Sequence, residues 1–158
     1  SAARFAGSAK LWPVVASRSV GAPLAIVSRG RPASGSSSLL EAPPALAFDG
    51  DPTTLWNAGF DAPQWLEIDL QQPVTVGMVR LRVAQYPAEG ATVHRVWTKG
   101  PGTSGGYVLR ETLAGTTRDG QQLESRSGAP WAGVRFVRVE TLQSPSWVAW
   151  AEIEVLAP

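Results

Sequence analysis

The chain has 158 residues, no cysteine, and 14 Lys and Arg against 13 Asp and Glu, so its formal net charge is +1. This length fits one domain with its own hydrophobic core, and the lack of cysteine excludes disulfides, thiol nucleophiles and cysteine-ligated metals. A chain that is nearly neutral and only 17% charged is unlike a nucleic-acid-binding domain, which carries a basic excess or stripe.

The composition favours a β protein with short strands and many turns, because it combines seven Trp with 16 Gly and 13 Pro. No apolar run approaches the roughly 18 residues that a membrane-spanning helix needs. The first residues do not read as a signal peptide and there is no initiator Met, so we expect Ser1 to be a cut or processed start.

Several short strands are predicted along the chain. Residues 1–25 lack a clear period and are predicted to be a lead-in with one strand near 11–15, whereas 31–38 read as a loop and 43–48 as one helical turn. Alternation of apolar and polar residues then predicts strands over 64–70, 74–83, 92–98, 107–113, 134–141 and 148–156. Short strands separated by Gly, Pro and Asp turns predict an all-β fold, an antiparallel sandwich or jelly roll.

Basic and acidic residues alternate in blocks along the sequence. Residues 1–40 hold five bases and no acid, residues 41–70 hold six acids and no base, and residues 71–110 hold five bases and one acid. The simpler interpretation is that neighbouring strands neutralise one another across a sheet. The alternative is that part of the acidic block holds a cation.

Four segments, taken in order, match one family pattern. Residues 30–37 read GRPASGSS, 47–56 read AFDGDPTTLW, 64–70 read QWLEIDL, and the ending combines VRFVRV at 134–139 with AEIEV at 151–155. Their order and spacing resemble the coagulation factor V/VIII type C, or discoidin, family. The resemblance implies an eight-stranded jelly roll of galactose-binding-like fold over residues 26–158. Such domains are not catalytic themselves, and they bind sugars, anionic lipids or proteins through loops at one end.

The acidic turn is a candidate calcium site, because calcium prefers several hard oxygen ligands at once. In the carbohydrate-binding members of the family this turn commonly holds a structural calcium. Carried over, the resemblance implies carboxylates from Asp49 and Glu152, the hydroxyl and carbonyl of Thr54, and backbone carbonyls of Leu46 and Asp51. The alternative is an Asx-turn in which the two Asp side chains accept backbone N–H groups, since the coagulation-factor branch uses the turn without a metal.

The resemblance also places ligand contacts on three loops at one end of the sandwich. Sugar binding needs an aromatic ring to stack on the pyranose face and a few fixed polar groups. The candidate ligand-binding residues on these loops are Asn57, Phe60, Gln85, Tyr86, Glu89, His94, Gln143, Ser146 and Trp147. Loop 85–91 has Gln and Glu but neither the Arg nor the Asn of galactose-binding members, which argues against a galactose preference.

Each candidate has a structural alternative. The aromatic rings of the loops can fold back to cap the core, Asn57 can serve the turn that follows it, and His94 can be a hydrogen-bonded wall residue. Trp56 and Trp65 lie inside family motifs and are predicted to be core residues. Packing roles are predicted for Trp97, Trp131 and Trp150.

The sequence therefore predicts a non-catalytic carbohydrate-binding module within a larger exported or cell-surface protein, of bacterial type, with calcium as its one cofactor. Catalysis is disfavoured because the single His has no Ser–Asp partners and the Glu67/Asp69 pair lies two residues apart on one strand. The first alternative is a module that binds a protein partner or the other domains of its parent. An anionic-lipid-binding domain is less favoured, because the sequence has only two lysines, Lys10 and Lys99.

Overall fold

The computed structural model describes residues 24–102, 105–126 and 128–158. The strand predicted near residues 11–15, with nearly all of the lead-in over 1–25, lies outside these residues. In the part of the chain that is described, no helix is long and apolar enough to cross a bilayer.

Strands make up most of the described chain, and the only helical element in those residues is a 3₁₀ turn at Pro44–Ala47, inside the predicted helical turn. The strands are β1 (Ala25–Ile26), β2 (Ala33–Gly35), β3 (Trp56–Asn57), β4 (Gln64–Val76), β5 (Met78–Ala84), β6 (Glu89–Lys99), β7 (Val108–Arg118), β8 (Gln122–Ser125), β9 (Trp131–Gln143) and β10 (Ala149–Ala157).

The strands form two antiparallel five-stranded sheets. The first, here called the β10 sheet, has the order β1-β10-β5-β8 with β3 also paired to β10, and the second, the β9 sheet, has the order β2-β4-β9-β6-β7. This confirms the predicted antiparallel sandwich. The described residues contain ten strands rather than eight, and three of the ten, β1 to β3, are only two or three residues long.

Alternating side chains of both sheets fill the space between them. On β4 the buried residues include Leu66, Ile68 and Leu70, and on β10 they include Ile153 and Val155. Burial of each such side chain contributes roughly 1.5–3 kcal/mol, which fixes the strand register, because a slip of one residue would turn the apolar set outward. Three tryptophans complete this core, namely Trp56, Trp131 and Trp150.

The prediction that Trp65 is a core residue is wrong, because its side chain lies on the outer face of the β9 sheet. There the Arg138 guanidinium carbon lies 3.7 Å from the centroid of the Trp65 ring and 4.6 Å from that of Tyr107. The Lys99 ammonium lies 4.9 Å from the Tyr107 ring and 4.9 Å from the Phe136 ring. Aromatic rings and cations thus alternate across this face, an arrangement that cation–π attraction favours. Trp97 shares the outer face, and its indole N–H donates to Glu140.

Ion pairs neutralise acids of the two sheets, but in the described chain none of them joins the acidic block 41–70 to the basic blocks 1–40 or 71–110. The pairs are Glu67 with Arg138, Asp69 with Arg135, and Glu154 with Arg29 and Arg80. The Arg135 guanidinium beside Asp69 holds the pKa of that carboxyl below its usual range. Because these pairs lie at the surface, each contributes at most about 1 kcal/mol.

The division between the strands predicted over 64–70 and 74–83 differs in the structure. Residue Val74 belongs to β4, where it pairs with Val134, and the next strand begins only after Gly77. The backbone N–H of Gly77 donates to Leu156 of the other sheet, so the chain changes sheets at this point. The four-residue strand β8 was not predicted, and it pairs with β5 through Leu123 and Leu81.

Candidate ligand cleft and metal turn

An open cleft of about 620 Å³ lies at one end of the sandwich, within the usual size range of small-molecule sites. Its walls come from the β3–β4, β5–β6, β7–β8 and β9–β10 connections and the strand ends beside them. The lining residues are Leu55, Asn57, Asp61, Ala84, Gln85, Tyr86, Asp119, Pro145, Ser146, Trp147 and Ala149. We call this the loop-end cleft.

Five of the nine predicted ligand contacts line the loop-end cleft, namely Asn57, Gln85, Tyr86, Ser146 and Trp147. The two aromatic rings are exposed, Tyr86 to 79% and Trp147 to 49%, so neither folds back into the core. Asn57 also serves the turn that was its structural alternative, because its side-chain oxygen accepts the backbone N–H of Gly59 at 2.8 Å.

Three other predicted contacts lie outside the lining. Phe60 is 62% exposed, but what it contributes near the cleft is a backbone carbonyl that accepts the N–H of Val148 at 3.0 Å. Glu89 pairs with Arg118 at 3.4 Å, and Gln143 is an exposed residue at the end of β9. A ligand would have to extend beyond the cleft to reach any of these three side chains.

The hydrogen-bonding groups of Gln85 hold the β5–β6 loop in place and are therefore not free to bind a ligand. Its side-chain oxygen accepts the hydroxyl of Thr117 at 2.6 Å, and its amide group donates to the Thr117 carbonyl at 3.2 Å. Its backbone N–H donates to a carboxylate oxygen of Asp119 at 2.9 Å. These hydrogen bonds hold the β5–β6 loop against the end of β7, so the backbone next to Tyr86 is fixed in position.

The β9–β10 loop approaches β6 closely because Gly90 carries no side chain. A Cβ at this position would lie 2.9 Å from Pro145 Cγ, closer than packed carbon atoms approach. Glycine thus lets the loop that carries Ser146 and Trp147 settle against the end of β6, beside Tyr86.

The sequence did not single out two carboxylates of the lining, Asp61 and Asp119. The Asp119-Gly120 pair signals a turn, and it does form the β7–β8 turn. What the sequence could not show is that the Asp119 N–H donates to Ala88 at 2.7 Å, which brings this turn against the β5–β6 loop. No local signal marks a contact between segments 31 residues apart in the sequence (119 minus 88).

The acidic turn over residues 46–54, here called the metal turn because calcium ligands are predicted in it, brings four of the five predicted ligands together. The Thr54 hydroxyl oxygen lies 2.6 Å from an Asp49 carboxylate oxygen, 3.0 Å from the Asp51 carbonyl and 3.4 Å from the Leu46 carbonyl. One hydroxyl proton can serve only one of these three acceptors at a time. The turn is therefore rich in oxygen atoms and poor in donors.

Glu152, the fifth predicted ligand, faces the same turn from β10. One carboxylate oxygen accepts the N–H of Gly50 at 3.0 Å, and the other is buried without a hydrogen-bond partner. Gly50 adopts a positive φ of 81°, a conformation that suits glycine. Burial raises the pKa of the Glu152 carboxyl to about 7, and the nearby Asp49 carboxylate acts in the same direction. An orphaned, buried carboxylate oxygen beside a donor-poor turn fits a bound cation.

The Asx-turn alternative is also present in the structure. The other Asp49 carboxylate oxygen accepts the N–H of Asp51 at 2.9 Å, and an Asp51 carboxylate oxygen accepts the N–H of Thr53 at 2.9 Å. These bonds use different atoms from those that face Thr54. No group of three or more His, Cys, Asp and Glu suited to a metal occurs among the described residues, and the predicted set relies on carbonyl and hydroxyl oxygens instead.

His94 was predicted to contact the ligand, but it is only 5% exposed and lies outside the cleft lining. Its Nδ1 is 2.9 Å from the Thr141 hydroxyl, and its ring lies 4.6 Å from the Trp150 ring, centroid to centroid. His94 is thus a wall residue of the core. Burial lowers its pKa from 6.5 to about 4, since the charged imidazolium would lose its hydration there.

A pH-dependent loss of stability follows from this burial. The unfolded chain gains a proton on His94 below about pH 6.5 that the folded protein does not take up until about pH 4, so stability falls as the pH drops through this window. We expect the stability of the wild type relative to His94→Gln to fall by about 2 kcal/mol between pH 7 and pH 5. Denaturant unfolding of both proteins measures this difference. The raised pKa of Glu152 acts in the opposite direction, since it makes the folded protein more stable as the pH falls, but it is present in both proteins and cancels in the difference. A difference that stays constant across the window would contradict a neutral, buried His94.

Comparison with known families and structures agrees with this architecture. The F5/8 type C domain family model matches residues 32–154, which includes the metal turn and all of the cleft lining. No curated protein matches the chain at the level of sequence.

Solved structures match the chain in fold. The family 32 carbohydrate-binding module of C. perfringens NanJ, in complex with galactose, has a TM-score of 0.68 and 18% identity, covering 79% of this chain and 92% of that one. Chitosan-binding module 1 of a chitosanase/glucanase from Paenibacillus sp. IK-5 has a TM-score of 0.68 and 22% identity, with coverage of 83% and 98%. A fucose-binding module from Streptococcus pneumoniae has a TM-score of 0.67 and 21% identity, with coverage of 85% and 96%. At such identities the likeness shows a shared fold.

Proposed function

This chain belongs to the F5/8 type C domain family, and we propose that within it the chain serves as a non-catalytic carbohydrate-binding module that holds a sugar in the loop-end cleft. One observation carries the proposal, namely that Tyr86 and Trp147 present exposed rings to a single cleft that also contains polar side chains. Exposed aromatic rings are costly to leave in water unless they serve a contact.

The chemistry of the cleft suits a sugar. The C–H face of a pyranose packs on an aromatic ring, while its hydroxyls need hydrogen-bonding groups at the edge of the stack. Asn57 and Ser146 can supply such groups beside the two rings. The similar structures support this proposal, since those described above are a module in complex with galactose, a chitosan-binding module and a fucose-binding module.

A protein partner is the second candidate function. Tyr and Trp are common anchors of protein interfaces, and a third exposed ring, Phe60, lies near the same end. An anionic lipid fits less well, because the described lining of the cleft contains neither Lys nor Arg to meet a head group. For the parent protein we propose an exported or cell-surface location, where glycans are accessible.

A glycan array probed with the whole chain tests the proposal. We expect binding to a restricted set of glycans, and loss of that binding in Trp147→Ala. Silence across the array together with tight binding to a protein partner would favour the adhesion function instead.

For the metal turn we propose that Asp49, Thr54, Glu152 and the carbonyls of Leu46 and Asp51 hold a structural calcium. The support is the buried, unpartnered oxygen of Glu152 and the three acceptor oxygens around one hydroxyl. A bound Ca²⁺ would supply positive charge to these oxygens and fix the turn. The residues themselves hold the turn through the Asx hydrogen bonds and join it to β10 through Gly50.

Removal of calcium is expected to lower the melting temperature. A ligand that binds only the folded state stabilises it by about 2.7 kcal/mol when present at 100 times its Kd, which corresponds to several degrees for a domain of this size. Thermal unfolding with excess calcium and with a chelator measures the shift. Asp49→Ala should abolish it, whereas Glu41→Ala, which removes an exposed acid outside the turn, should leave it unchanged. Identical melting curves with and without chelator would leave only the Asx-turn.

A further inference from the structure

The loop-end cleft carries an unbalanced negative charge. Its ionisable side chains are those of Asp61, Asp119 and Tyr86, and its described lining contains no basic residue. In the described chain, neither Asp takes part in any of the six ion pairs. The nearest base in the sequence, Arg118, pairs with Glu89 instead. A ligand in this cleft therefore meets two carboxylates that form no ion pair, although the Arg82 guanidinium donates to the Gly120 carbonyl, next to Asp119, at 2.9 Å.

The Asp119 carboxylate is held in place. One of its oxygens accepts the backbone N–H of Gln85 at 2.9 Å, and the Asp119 N–H donates to Ala88 at 2.7 Å. These two bonds hold Asp119 at the tip of the β7–β8 turn, where it lines the cleft, and the second carboxylate oxygen accepts no hydrogen bond from the described residues. Asp61 engages the protein through its backbone carbonyl, which accepts from Gln64 at 3.0 Å, so its exposed carboxylate remains at the opposite connection.

The rings of the cleft add to this preference for positive charge. A cation is attracted to the face of Trp or Tyr as well as to a carboxylate, and ionised groups make the stronger hydrogen bonds. An acidic sugar would be repelled by both carboxylates, and a neutral sugar would leave them without a charged partner.

We propose that the cleft selects a sugar that carries a free, protonated amine, such as the glucosamine units of a deacetylated chitin-type chain, with Asp61 and Asp119 as the residues that determine this specificity. The inference depends on the proposed carbohydrate function. Attraction by the protein as a whole cannot supply the preference, because the chain has a formal net charge of +1, so the local charge of the cleft must do so.

The test compares three oligosaccharides of equal length by titration calorimetry at a pH that keeps the amine protonated. They are a glucosamine oligomer, its N-acetylated counterpart and a neutral glucose oligomer with the same linkage. We expect the glucosamine oligomer to bind roughly tenfold tighter than the other two, and this preference to shrink as salt is added. Asp61→Asn and Asp119→Asn should each reduce the preference about three- to fivefold. The control Glu41→Gln, outside the cleft, should preserve it.

The outcomes separate this inference from the function on which it depends. Equal or tighter binding of the N-acetylated or neutral oligomer, still lost in Trp147→Ala, would overturn the amine preference and keep the carbohydrate function. A preference that survives both Asp→Asn variants would also overturn it. Silence toward all three oligomers and the array would overturn both. Melting temperatures identify any variant that fails to fold, and if Asp119→Asn does so, the measurement on Asp61→Asn decides.

Discussion

The substitution Trp147→Ala is expected to weaken carbohydrate binding by at least about 2 kcal/mol, or roughly 30-fold, while the stability of the fold stays nearly unchanged. Trp147 is half-exposed on the β9–β10 loop and presents its ring to the loop-end cleft. Its removal therefore takes away a stacking surface without opening a cavity in the core. The affinity for the strongest glycan of the array and the free energy of unfolding, measured on the same variant, check both parts.

A matched variant is available in Trp97→Ala, which truncates a half-buried Trp on the outer face of the β9 sheet, outside the cleft lining. It should retain wild-type affinity. If Trp147→Ala instead lowers the free energy of unfolding by about 3–5 kcal/mol, the Trp147 ring is part of the core. Tyr86 would then be the remaining aromatic contact of the cleft.

The substitution Trp56→Ala is expected to lower the free energy of unfolding by about 3–5 kcal/mol, a large share of the usual 5–15 kcal/mol. Trp56 is 0% exposed. Its indole N–H has two acceptors, the Ser37 carbonyl at 3.1 Å and the Ser38 hydroxyl at 2.9 Å. Gly35 packs so closely that a Cβ there would lie 2.9 Å from the same nitrogen. An alanine would leave both a cavity and unsatisfied acceptors.

Trp65→Ala is the control for this experiment, because both residues lie in motifs of the family but only one lies between the sheets. Loss of the Trp65 ring removes a cation–π contact with Arg138 at the surface, which contributes about 0.5–1 kcal/mol. Urea unfolding should therefore separate the two variants clearly. Equal losses would contradict the outward placement of Trp65.

The antiparallel sandwich could be predicted because the side chains of β6 and of the first half of β4 are alternately buried and more exposed. Leu66, Ile68 and Leu70 share one face, and the carboxylates between them face outward. By contrast, β8 offers only four residues with one central Leu, too few to show a period. The outward placement of Trp65 follows from the same alternation, since Trp65 has the parity of Glu67 and Asp69, whereas its contact with Arg138, on a strand more than 70 residues away, could not be read from the motif.

The candidate site was predictable where one segment of sequence makes it. The metal turn lies mostly within residues 46–54, and its predicted ligands converge as expected from the resemblance. The cleft depends on four connections that are distant in sequence. The place of Asp119 in the cleft could not be predicted, because it follows from a hydrogen bond to Ala88 and not from the residues next to it in the sequence. His94 lies inside the sandwich, as its alternation with Val96 and Thr98 indicates, and is the hydrogen-bonded wall residue that was its structural alternative.

The pairing of β1 with β10 determines how the cleft is presented. Ala25 lies opposite Ala157, so the chain enters and leaves the sandwich at neighbouring points. Strand β10 begins at the cleft with Ala149 and ends beside β1, a distance of about 26 Å at about 3.3 Å per residue. A neighbouring domain joined through these two chain ends would therefore be attached at the end opposite the cleft, and the cleft would face away from it.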